Sequence, residues 1–109
     1  MKRFILFDEQ TIEEQIFELN EIIENNNLCK LSNELEKILY CELKAGNKIR
    51  EISVGGFSDE EHLFIFLNAP FISKAITYNN LKYIEVNDTH YWKAEYTDLK
   101  NKHTVACYF

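Results

Sequence analysis

Proline and glycine are scarce in this chain: Pro70, Gly46, Gly55 and Gly56 are the only breakers in 109 residues. That leaves no place for a flexible linker or a second domain, so 1–109 reads as a single domain. Long apolar runs are missing as well. The opening stretch from Met1 to Glu9 has a basic tip, then only Phe4 to Phe7 before two acids. A secretory core needs about 7–15 apolar residues and a membrane span about 20. Neither pattern occurs, and the expectation is a cytoplasmic protein with no membrane partner. Cysteine is sparse and unpatterned. Cys29, Cys41 and Cys107 are odd in number, and free thiols without an export signal fit a reducing compartment.

What is present is enough for a core. Hydrophobic residues make up 46% of the chain, with eight Phe, six Tyr and one Trp, which excludes a solvated, disordered chain. Arg3 to Phe7 reads as a short strand. Thr11-Ile12-Glu13-Glu14 fits a capping box, with a hydroxyl at the N-cap and Glu three residues on. Ile12, Ile16, Leu19 and Ile23 then fall on one helical face, and Asn25-Asn26-Asn27 ends the helix.

The next segment admits two readings. Leu31, Leu35, Leu39 and Leu43 make a helical stripe behind a Ser32 cap, while Gly46-Asn47 is also a two-residue hairpin signal. The stripe favours a helix to about Leu43. Ile49 to Val54 reads as a strand, and Leu63 to Leu67, apolar on both faces, as a central strand. A meander follows through Tyr83–Val86, Tyr91–Tyr96 and Val105–Phe109. The predicted fold class is α+β: one or two N-terminal helices on a mainly antiparallel sheet of about five strands, ending in a C-terminal meander.

No reactive constellation stands out. His103 and Cys107 share a strand face but sit roughly 13 Å apart at about 3.3 Å per residue. Cys29 or Cys41 meeting His62 or His90 in space is the remaining route to a thiol site, and no nucleophile signature supports it. The reading is therefore buried or half-buried cysteines and no catalytic residue. His62, His90 and His103 are scattered singly on sheet or loop surface, without the paired spacing of a zinc site. Gly55-Gly56 lacks the rest of a phosphate loop. Neither a cofactor nor a metal is expected.

Charge is distributed unevenly. Net charge is −6, and from Phe4 to Cys29 there are seven acids and no base. The whole surplus therefore lies on the first helix and its approach. Glu14, Glu18 and Glu21 form a stripe opposite the Ile/Leu face, with Phe17 and Glu24 between. Like charges four residues apart cost roughly 0.2–0.5 kcal/mol each, and acids near a helix C-terminus oppose the helix dipole. A docked cationic surface reverses both penalties; the plain alternative is a solubilising face. Asp59, Glu60 and Glu61 form a second acidic patch, either a loop cap or a contact. Tyr91 is the candidate exposed aromatic of the last third, where strand alternation sends Trp92 and Tyr96 to the opposite face. An acidic surface points to a basic protein partner and away from direct contact with nucleic acid.

A short, acidic α+β chain of this kind, rich in Asn and Lys and with carboxylates on one side, resembles bacterial immunity proteins. These are antidotes co-produced with contact-dependent or other polymorphic toxins, many of them basic nucleases. The resemblance lies in the general character of the whole chain rather than in a motif, and it carries no residue over by position. It implies a steric and electrostatic inhibitor of a basic toxin. An intracellular adaptor or regulatory subunit, and a small enzyme with a Cys–His or carboxylate site, are the alternatives.

Overall fold

The computed structural model describes residues 2–55, 61–72, 80–87, 89 and 92–108, with Trp92 described by its backbone alone. The elements are β1 (Lys2–Ile5), α1 (Ile12–Asn25), α2 (Asn33–Lys44), β2 (Ile49–Gly55), β3 (His62–Leu67), β4 (Leu81–Asn87), β5 (Trp92–Asp98) and β6 (His103–Tyr108). The architecture is α+β. Six strands form one sheet in the order β1-β2-β3-β6-β5-β4, one strand more than the expected five. β1, β2 and β3 pair antiparallel, as do β4, β5 and β6. The two halves meet in a parallel pairing of β3 with β6 at the sheet centre.

Local chemistry sets the helix ends. Thr11 caps α1: its hydroxyl accepts from the Glu14 backbone N–H at 3.1 Å, and the Glu14 carboxylate accepts from the Thr11 N–H at 3.0 Å. At the other end Asn27 takes a left-handed φ of 54°, and its N–H and that of Leu28 bond back to the carbonyls of Glu24 and Ile23. α2 closes the same way. Gly46 has φ 105°, while the N–H groups of Gly46 and Asn47 reach the Leu43 and Glu42 carbonyls at 3.1 and 2.9 Å. Gly46-Asn47 thus ends a helix and is not a hairpin turn, which settles the ambiguity over residues 31–45.

Both helices lie on one face of the sheet. Leu19, Ile22 and Ile23 of α1 and Leu35, Ile38, Leu39 and Leu43 of α2 form the core with Ile52, Val54, Leu63, Ile65, Tyr96 and Val105 of the sheet. Three buried polar side chains join the layers. The Gln15 amide bonds the Ile49 backbone, and the Glu42 carboxylate accepts from the Asn47 amide and the Ile72 N–H. Tyr96 is core, its ring tilted at 50° against Tyr83 and meeting the edge of Phe71.

Two expectations about burial are corrected. His103 is not on the surface: it faces the helix layer and is 1% exposed, because strand alternation puts it in one row with Val105 and Cys107. The cysteines are not uniformly buried either. Cys107 is, but Cys29 and Cys41 are exposed, one in the α1–α2 connection and the other on the outer side of α2.

Candidate protein-binding surface

The capping box fixes where α1 starts, and its Ile/Leu stripe fixes which side faces the sheet. Together they decide where its carboxylates point. Glu13, Glu14, Glu21 and Glu24 are exposed, and Glu18 is half-buried. These acids are not equivalent. Glu14 belongs to the cap, and hydrogen bonds from Thr11, the backbone N–H first, hold its carboxyl below the ordinary value, with the Lys48 charge adding to the effect. Glu18 accepts from the Gln10 side-chain amide at 3.0 Å. Glu13, Glu21 and Glu24 have no hydrogen-bond or ion-pair partner among the described residues.

Two lysines approach α1 from outside it without forming an ion pair with a carboxylate. The Lys48 ammonium donates to the Gln10 carbonyl at 2.7 Å, and that of Lys2 to the Asn26 side-chain oxygen at 2.7 Å. The ion pairs among the described residues, Arg3–Glu51 and Lys93–Glu95, both lie on the sheet. α1 therefore presents negative charge that is unpaired among the described residues, and Phe17 stands among these acids with 63% of its surface exposed.

Beside this face runs a cleft of about 480 Å³ between the helices. α1 contributes Ile16, Leu19, Asn20, Ile23 and Glu24; the connection contributes Leu28, Lys30 and Leu31; α2 contributes Glu36, Leu39 and Tyr40. The left-handed turn at Asn27 builds one wall, since it folds Leu28 back beside Ile23. Sequence reasoning missed this cleft. Ile16, Leu19, Ile23, Leu31 and Leu39 read from sequence as core stripes, Leu28 and Tyr40 belong to neither stripe, and only the helix–helix packing brings them together around a cleft.

The second feature is the sheet face turned away from the helices. Register places His62, Phe64 and Phe66 of β3 there beside Thr104, Ala106 and Tyr108 of β6. Phe64 stacks on Phe66 with centroids 6.2 Å apart, and Phe66 on Tyr108 at 5.6 Å. Arg50 lies over the Tyr108 ring at 6.0 Å, and Tyr108 is 42% exposed. The continuous apolar run of β3 was legible as a central strand, but its neighbour across the sheet was not.

Of the remaining sequence candidates, Glu61 is exposed just before β3, while Asp59, Glu60 and Tyr91 lie outside the described residues. Within β6, His103 and Cys107 lie two places apart on the buried side, with Val105 between them. Burial lowers the His103 imidazole and raises the Cys107 thiol from their ordinary values. Among the described residues no group of three or more His, Cys, Asp or Glu could hold a metal ion, and no helix is long and apolar enough to cross a membrane. No protein-family model, curated protein or solved structure matches this chain.

Proposed function

We propose that this chain is a cytoplasmic protein-binding module that captures a basic protein through α1, and that it acts as an immunity protein against a basic, nuclease-type toxin. One observation carries the reading: Glu13, Glu21 and Glu24 extend from a firmly capped helix with no basic partner among the described residues. The charges of Glu21 and Glu24, in the C-terminal half of α1, are mildly unfavourable in the free protein and become favourable when a cationic surface docks. Binding rather than catalysis is the activity. The toxin's lysines and arginines, which would otherwise hold nucleic acid, pair with these carboxylates, and Phe17 supplies apolar contact beside them.

The test is retention and rescue. Tagged protein isolated from its native cell should retain a basic protein that is toxic when produced alone and harmless when produced with this chain. The double variant Glu13→Lys, Glu21→Lys should associate about tenfold or more slowly and show a flatter salt dependence. Glu14 is left intact because reversing it also removes the helix cap. An unchanged on-rate in the double variant counts against α1 as the docking face. A retained protein without toxicity counts for an adaptor instead.

A further inference from the structure

We propose that the α1–α2 cleft is the anchor point for that partner: a basic amphipathic helix seats a large apolar side chain in it and sets flanking Lys or Arg over Glu24 and Glu36. This rests on the reading of a basic partner and adds which of its elements binds, and where. The cleft volume of about 480 Å³ lies within the roughly 300–1,000 Å³ typical of ligand pockets. Its walls include Ile16, Leu28 and Leu31, apolar side chains that the protein's own core leaves partly exposed. Water on that surface is displaced when an apolar side chain enters.

Charge selects the occupant. Glu24, Glu36 and Lys30 all line the cleft, yet no ion pair forms between them among the described residues. Two acids against one base leave the mouth negative, and Glu13 and Glu21 of α1, unpaired among the described residues, extend that potential. A helix carries residues three and four apart on one face, so an apolar side chain flanked by cations at that spacing meets floor and rim together. Phe17, exposed on the same helix, widens the apolar contact.

The probe is a synthetic helical peptide of about 16 residues with leucines on one face flanked by lysines, compared with a peptide in which serine replaces every leucine at unchanged charge. Binding is followed by the backbone and methyl NMR signals of the full chain. The leucine peptide should bind about tenfold or more tightly than the serine peptide. It should also shift the methyl signals of Ile16, Ile23, Leu28 and Leu31, and Glu24→Lys with Glu36→Lys should weaken its binding about tenfold or more. Equal binding of both peptides, with shifts at Glu13 and Glu21 but none in the cleft, overturns the anchor and leaves the acidic docking face standing. Shifts centred on Phe64, Phe66 and Tyr108 overturn it in favour of the sheet face. Absence of binding by either peptide overturns the anchor and the basic-partner reading together.

Discussion

The side chain of Gln15 and the backbone of Ile49 exchange two hydrogen bonds, each 2.9 Å, one accepting and one donating. Gln15 lies on α1 and Ile49 begins β2, where β1 no longer runs alongside: β1 pairs with β2 only from Val54 to Glu51. A helix side chain thus takes the place of the missing strand. The same amide also donates to the Phe7 carbonyl at 3.3 Å. Gln15 fixes the position of the acidic helix over the sheet edge, which is how a core contact bears on the proposed docking face.

Gln15→Leu should therefore be costly despite its similar size and greater apolarity. It leaves the N–H and C=O of a fully buried Ile49 unpaired, a loss of about 2–4 kcal/mol in chemical denaturation. Gln15→Ala should cost at least as much. A loss under about 0.5 kcal/mol for Gln15→Leu would mean that another group satisfies Ile49.

Gly46→Ala isolates a backbone effect. A Cβ at Gly46 meets nothing within 4 Å, yet φ there is 105°. The expected destabilisation is roughly 1–2 kcal/mol, all from backbone conformation, and Gly46→Asn should lose less because Asn tolerates left-handed geometry. Equal stability of wild type and the Ala variant, measured by thermal unfolding, contradicts the closure described for α2.

Stability should fall in mild acid because of His103. Neither ring nitrogen has a hydrogen-bond partner among the described residues. Burial, with the His62 charge, holds the folded imidazole below its ordinary value of 6.5, against the opposing pull of Asp98. The unfolded chain therefore takes up this proton more readily. Its stabilising effect is complete above about pH 6.5, declines as pH drops below that, and levels off beneath the lowered folded value. Denaturation midpoints across this range should show the decline, and His103→Leu should remove it.

Thiol reactivity should divide the cysteines two to one. Cys29 and Cys41 are exposed and Cys107 is buried, with burial raising its thiol. Alkylation of the native protein followed by mass spectrometry should label Cys29 and Cys41 quickly and Cys107 only at the rate of unfolding. Fast labelling of Cys107 would show that β6 opens.

The features readable without coordinates are those written within a few residues of each other. Thr11 and Glu14 announce the start of α1, the Asn run its end, and the periods of 3.6 and 2 separate helices from the strands of the meander. The absence of bases from Phe4 to Cys29 was equally plain, since counting charge needs no fold. What tertiary structure decided are relations between distant segments. It chose the parallel meeting of β3 and β6, buried His103, and ended α2 rather than turning a hairpin at Gly46-Asn47. It also sorted the acids of α1 into the capping Glu14, the amide-bound Glu18, and Glu13, Glu21 and Glu24, which are unpaired among the described residues. The physical reason is that charge and periodicity are properties of single segments, whereas pairing and burial depend on which other segment arrives opposite. The cleft between α1 and α2 exists only because two helices, each amphipathic by itself, pack with part of their apolar faces still in water.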